Sequence, residues 1–392
     1  MTTGGRATQP EGSSDRSRPA TAPGPSDPAG GAAASVQYPD LGATVAPWSV
    51  PDGVADELPE LYGSLLSTAD WFATEDRVEA SGAVVLDQPR HVLLFYRDGD
   101  TVEILNKEFA IGPKAAARAC RALFRALPDA RRIHLEVLFP PWESQFPKRI
   151  LYWTDHMVID LPDTVDAYTA SLGSRTRREL RRKDKRLRAD HPDISTEVVT
   201  PVTDSDELMR TFITWKNSRF NARGESTIWQ DKPDLTPDFV ELLHRRGEAH
   251  ITRIDGELAA IDFVFPVGRS VYALQSAFDP RYEPYSLGFL STYRIACDAI
   301  ASGACRLSLL WGTPDYKARL GAVPKRATRL SIFRAQTDRL YSLDEGWEVA
   351  WRNLRRNGQR DYWRARHAAA KRVRALATWR EAGVEQRRVR RG

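Results

Sequence analysis

The chain has 392 residues and a mass of 44.1 kDa, which at roughly 100–200 residues per domain suggests about two domains. Its 42% hydrophobic and 28% charged residues fit a soluble globular protein and exclude a wholly disordered chain or a disulfide scaffold. The net charge of +5 is uneven: nine Lys/Arg against three Asp/Glu at 174–191, fourteen against three at 352–392, and a remainder that sums to −12.

Two basic surfaces on an acidic body attract anionic partners, whether nucleic acid, nucleotide or membrane. No window approaches the roughly 20 apolar residues of a membrane span, and the first residues lack an apolar signal core. Cys120, Cys297 and Cys305 are widely spaced, with no CxxC pair. A reducing, cytoplasmic setting is therefore expected.

Residues 1–37 are rich in Gly, Ala, Pro and Ser and nearly free of large apolar side chains. They cannot bury enough surface to offset chain entropy, so a disordered tail is expected. Two regions then follow one plan. In the first, 84–86, 91–96 and 101–105 read as strands with a turn at Asp98-Gly99, followed by a helix at 113–127 and a strand at 133–139. In the second, 249–254, 258–265 and 270–278 read as strands with a turn at Asp255-Gly256, followed by a helix at 286–301 and a strand at 306–311. Asp-Gly between apolar runs is a strong hairpin signal. An antiparallel meander, a crossover helix and a parallel strand thus occur twice, in an α/β (α+β) fold.

Between the repeats, 164–172, 206–220 and 237–246 read as helices, and a short strand ends at 198–200. Thr176 and Glu179 have capping-box spacing for a basic helix running to Arg188. After the second repeat come a short helix at 315–320, a strand at 329–335 and a basic helical tail. The expected domains are 38–160 and 161–340, with the tail at 341–392.

Several chemistries are missing. There is no GxxxxGK[ST] loop, no HExxH, no GxSxG and no GxGxxG after a strand. The seven histidines show no metal-ligand spacing, so no metal is expected. What remains lies at 282–321. Ser286, Leu287 and Gly288 sit where a strand gives way to a helix, and a helix N-terminus offers free N–H groups to a phosphate. As a local pattern this equally describes an ordinary cap. Gly312 to Lys317 follows the strand parallel to that helix, beyond whose carboxyl end ligands of α/β folds tend to sit. A lysine there can stabilise an oxyanion or simply face solvent.

The order Y-x-x-x-S-x-G at 282–288, helix, strand, then G-x-x-x-Y-K-x-x-x-G at 312–321 resembles the CelD/BioF-type acetyltransferase domain. That domain belongs to the GNAT superfamily and is related to the FemAB-type aminoacyltransferases. The basic run Ser174–Arg188 and Trp215-Lys216-x-x-Arg219 resemble the helices that open it. The chain departs from the family at Leu287, where proline is usual, and at Ser308, where aspartate is usual. It also lacks the common Q/RxxGxG/A phosphate loop.

The resemblance implies tandem GNAT-like domains, each a mixed twisted sheet, with an acyl donor held between two splayed parallel strands, 270–278 and 306–311. An amine then attacks directly. It implies Lys317 as electrostatic stabiliser beside Tyr316, a donor site at Ser286, Leu287, Gly288, Arg175 and Arg178, and an acceptor site at Arg219, Trp229 and Tyr285. Asp262 and Tyr272 are weaker candidates for a base. Trp215, Trp229 and Trp311 would line an apolar pocket or serve packing.

The implied co-substrate is acetyl-CoA or another acyl-CoA, without a metal, and the acceptor is an amine of a small molecule, sugar or peptide. An aminoacyl-tRNA donor is the alternative, to which the basic tail lends support through phosphate contacts. A non-catalytic nucleic-acid-binding protein is a third reading, but no recognised binding module or stacking motif accompanies it.

Overall fold

The computed structural model describes residues 35–341 except 75–80, 139–144, 203–204, 223 and 313–314. The expected tails at 1–37 and 341–392 thus lie almost wholly outside the described residues.

The chain opens with β1 (Val36–Tyr38) and β2 (Ala43–Ala46), then α1 (Leu58–Tyr62) and α2 (Ala69–Phe72). The first meander is β3 (Gly82–Asp87), β4 (Arg90–Asp98) and β5 (Thr101–Ile104). Then come α3 (Pro113–Ala126), β6 (Arg132–Leu138) and the long β7 (Lys148–Asp160). The middle section is α4 (Val165–Ser171), α5 (Ser174–Asp190), β8 (Ile194–Val199), α6 (Ser205–Asn221), α7 (Ile228–Asp231) and α8 (Leu235–Arg246). The second meander is β9 (Glu248–Ile254), β10 (Glu257–Val267) and β11 (Ser270–Phe278). It leads to α9 (Leu287–Ala301), β12 (Arg306–Trp311), α10 (Asp315–Arg319), β13 (Val323–Phe333) and α11 (Gln336–Tyr341).

The described strands form one sheet in the order β1-β2-β3-β4-β5-β6-β13-β7-β12-β11-β10-β9-β8. β5 and β6 are parallel around α3, as are β11 and β12 around α9. The two expected repeats are present, entering the sheet from opposite ends. They meet across β13 and β7, which pair antiparallel along nearly their whole length. β13 also pairs with β6, and β7 with β12.

Local chemistry explains much of this. Asp255 and Gly256 both take left-handed φ, 53° and 79°, the conformation a two-residue hairpin needs to match strand twist. Pro113 opens α3, where its missing N–H has no intrahelical acceptor to lose. Two core clusters flank each half of the sheet. In the N-terminal half α3 covers one face and α1 and α2 the other. In the C-terminal half α4, α5 and α9 cover one face, and α6, α7 and α8 the other.

Several elements differ from expectation. α5 begins at Ser174 with Gly173 as its N-cap and no side-chain cap bond. Thr176 is therefore inside the helix and buried, and the Thr176/Glu179 capping box does not form. A capping box does form at Thr227 and Gln230, opening α7. β7 has no counterpart among the expected strands, and β13 begins six residues before the expected 329.

The halves also touch outside the sheet. Gly268, in the β10–β11 turn, has φ 53°, and a Cβ there would stand 2.8 Å from the Pro59 carbonyl oxygen in α1. Arg246 bonds Asp70 at 2.8 Å. Gly268→Ala combines a left-handed alanine with a backbone clash, so it should lose about 2 kcal/mol or more in urea denaturation. An unchanged midpoint would mean that the two halves yield at this contact.

Candidate active site

The site begins where β11 and β12 part. They pair only at Ser270–Arg306, Val271–Leu307 and Tyr272–Ser308. β11 continues to Phe278 on its β10 edge, so its other edge is open from Ala273 onward among the described strands. β12 meanwhile carries one extra residue against β7: Ser308 pairs with Val158, but Trp311 pairs with His156. Such a bulge bends a strand and re-aims its side chains. Leu310, within it, has φ 55°, a conformation L-residues rarely adopt outside special sites. The strands therefore diverge into a wedge beside the N-terminus of α9.

Lys317 closes the wedge from α10. It is 7% exposed. Its Nζ donates to Leu309 O and Trp311 O at 2.7 Å each, and to Gly312 O at 3.4 Å. Burial lowers its pKa to about 8, and the surrounding carbonyls favour the ammonium. Tyr316 is 37% exposed beside it, and burial of its phenol raises the pKa.

Lys216 enters from α6. Its Nζ donates to Ser276 O at 3.0 Å and Gln275 Oε1 at 3.3 Å, both on the open part of β11. Burial, then the Arg219 charge, push its pKa down to about 7; Asp262 opposes this and Lys317 adds to it. Arg219, one turn along α6, lies 5.0 Å over the Phe278 ring. Phe278 is the ring that a Cβ on Gly288 would meet at 3.1 Å. Gly288 thus lets α9 approach β11 closely.

Six of the expected residues are drawn into one neighbourhood: Tyr316, Lys317, Arg219 and Ser286–Gly288. Ser286 is left-handed, φ 57°, and its side chain makes no cap bond. Leu287 is wholly buried, so only its backbone can serve a ligand. The first N–H groups of α9 have no acceptor within the helix.

The other four stand apart. Arg175 and Arg178 are exposed on the first turns of α5. Their neighbour Glu179 bonds Arg319 at 2.6 Å, and Arg319 lies 4.8 Å over Phe289 at the start of α9. The Tyr285 hydroxyl donates to Asp190 at 2.9 Å beneath Arg186. Trp229 packs edge-on against Phe212 and Phe239, 6% exposed, in the core under α6 and α8. It is a core residue rather than a wall of the wedge, because three aromatic rings there bury more surface together than apart.

Asp262 is buried on β10. It accepts a short bond from Ser291, and desolvation raises its pKa. It faces a cavity of about 180 Å³ between β8–β10 and α9 that also takes in His250 and Arg294. Burial opposes the charge on His250, but the Asp298 and Glu248 carboxylates, 3.6 and 3.5 Å from its ring nitrogens, raise its pKa to about 9. Among the described residues no His, Cys, Asp and Glu group could hold a metal, and no helix is long and apolar enough to cross a membrane.

Residues 174–318 match the family described as Acetyltransferase (GNAT) domain. The crystal structure of FemX aligns with 76% of this chain and 99% of that one, at 12% identity and a TM-score of 0.53. A conserved protein from Bacteroides thetaiotaomicron VPI-5482 aligns over 72% and 96%, at 14% identity and a TM-score of 0.49. No curated protein matches the chain in sequence. Residues 174–318 are thus similar to a GNAT domain, and the chain shares its fold with FemX.

Lys216 is a site residue that its motif alone does not single out. It stands inside Trp215-Lys216-x-x-Arg219, and its one-turn spacing from Arg219 is the available signal. Folded Lys216 releases its proton near pH 7, whereas the unfolded chain keeps it to near 10.5. Between those values the unfolded state binds more protons, so this lysine makes stability rise with pH. The stability advantage of Lys216→Met over the parent should be largest below pH 7 and shrink towards pH 10. Urea titrations at pH 6, 8 and 9.5 check this; a constant difference would show that Lys216 is not desolvated.

Proposed function

We propose that the protein is an N-acyltransferase moving an acyl group from acyl-CoA to an amine of a small molecule, sugar or peptide. The observation that carries this is the wedge: an open β11 edge with buried Lys317 and half-buried Lys216 converging beside the N-terminus of α9, within the stretch that matches a GNAT domain. The acyl carbonyl would lie along β11, polarised by its N–H groups as in an oxyanion hole. The α9 N-terminus at Leu287 and Gly288 would take donor phosphate, with Arg175 and Arg178 at its rim. Arg219 and Tyr285 would border the acceptor. The domain limits 38–160 and 161–340 belong to the same reading.

The two lysines divide the work by their hydrogen-bond inventory. Lys317 has as many carbonyl acceptors as an ammonium has protons, so it acts as a fixed positive charge. Lys216 has two acceptors, which use both protons of a neutral amine and leave a lone pair. The acceptor nitrogen attacks the acyl carbon, its proton passes to Lys216, and the C–N bond forms as the C–S bond breaks. The departing thiolate takes the proton back from Lys216. No covalent enzyme intermediate is needed.

An aminoacyl-tRNA donor is the second reading, favoured by the shared fold with FemX and by the basic run 352–391. Calorimetric titration with acetyl-CoA and, separately, bulk aminoacyl-tRNA distinguishes them. Saturable acetyl-CoA binding that survives removal of residues 352–392 is expected. Salt-sensitive tRNA binding alone would overturn the acyl-CoA reading.

With an amine acceptor in hand, the rate should rise through an acid limb near pH 7, and Lys216→Met should remove the limb and lower kcat/KM by about 100-fold. Lys317→Ala should lower kcat by a similar factor with acyl-donor binding retained. A Lys216→Met profile that keeps the limb would remove Lys216 from the proton transfer.

A further inference from the structure

Three polar groups beside Lys317, two of them buried, have no part in the chemistry above. Glu108 follows β5 in the N-terminal repeat, His156 lies in β7, and Trp311 ends β12. Glu108 is 5% exposed and is held at φ 52°, where non-glycine residues are rare. His156 is wholly buried. Its Nδ1 meets the Glu108 carboxylate, and its Nε2 accepts the Trp311 indole N–H at 2.9 Å. The two rings stand edge to face, 5.6 Å apart.

This pattern fixes the tautomer: the proton sits on Nδ1 and the lone pair on Nε2. Burial and the nearby Lys317 charge lower the His156 pKa to about 3, so the ring is neutral and can accept from Trp311. The other end of Trp311 holds Lys317, through its carbonyl at 2.7 Å. The Trp311 residue is 45% exposed, yet its N–H turns inward to a fully buried acceptor. Apolar residues would fill the place of Glu108 and His156 without the cost of burying polar groups. Packing alone therefore does not account for them.

We infer that Glu108, His156 and Trp311 form a positioning relay through which the N-terminal repeat fixes the end of β12 and, with it, the Lys317 ammonium. None of the three touches the reacting atoms. Glu108 sets the tautomer of His156, His156 orients the Trp311 indole, and Trp311 presents its carbonyl to Lys317. The effect on rate rests on Lys317 serving acyl transfer, but the relay itself is readable without turnover.

The test uses the full chain and brief acetylation with N-hydroxysuccinimidyl acetate, with labelling at Lys317 measured by mass spectrometry against exposed Lys185 in the same molecule. Trp311→Phe keeps a ring but removes the N–H, and Glu108→Ala removes the acceptor. Each should raise Lys317 labelling relative to Lys185 by about five-fold or more, the change expected when a contact worth about 1 kcal/mol is lost. Glu108→Gln, which retains a carbonyl acceptor, should stay near the parent. If acyl transfer is in hand, kcat should fall in Trp311→Phe while KM for the donor stays within about two-fold.

Parent-like labelling in both Trp311→Phe and Glu108→Ala would overturn the relay. Should Glu108→Ala fail to fold, Trp311→Phe at its half-exposed position decides the matter alone. The expected labelling in a protein that turns over no acyl-CoA would uphold the relay and remove the acyl-transfer reading instead.

Discussion

The candidate site depends on a ladder that stops. β11 and β12 are parallel neighbours for three residue pairs and then separate. A sheet interior rarely leaves strand edges unpaired, because each buried N–H and C=O needs a partner. Here the missing partners come from side chains. Lys317 takes the carbonyls at the end of β12, and Lys216 takes one on β11. The extra residue in β12 and the left-handed Leu310 make the separation a built feature. The close approach of α9 over Gly288 then brings a helix N-terminus to the mouth of the opening.

Placing cations in that opening is unfavourable by itself, since burial disfavours charge on lysine. The structure answers this differently for each. Lys317 is surrounded by carbonyl oxygens and keeps its charge. Lys216, with fewer acceptors and Arg219 and Lys317 nearby, sits close to the point of losing its proton at neutral pH. Two lysines at one site thus stand in different hydrogen-bond surroundings, and the one with fewer acceptors is the more strongly depressed.

Much of this was legible in the sequence, and for local reasons. The meanders carry their own turns, and α3 and α9 carry their own amphipathic or apolar patterns. The segment 282–321 marks the neighbourhood of Lys317 and Gly288 because its motifs sit at strand ends and a helix start. β7 was not legible. Residues 148–160 mix Lys, Arg, Asp and His with apolar residues, and their strand exists because β13 and β12 pair on its two sides. The same holds for Glu108 and His156, single polar residues whose meaning arises only when distant segments meet. Trp229, which its sequence left open to an apolar pocket or to packing, is decided by Phe212 and Phe239, rings that only the fold brings against it.

The position of β13 has a consequence for how the protein is made. It is the last described strand along the chain, yet it lies near the middle of the sheet, between β6 and β7. As the polypeptide leaves the ribosome, the first repeat can form its meander and helix but cannot complete the β6 edge. β7, likewise, waits for partners made more than 140 residues later. Both strands present open edges to other chains throughout synthesis of the second repeat. A ribosome that stops before Val323 leaves neither half closed, so the two repeats share one fate at birth even though each carries its own core.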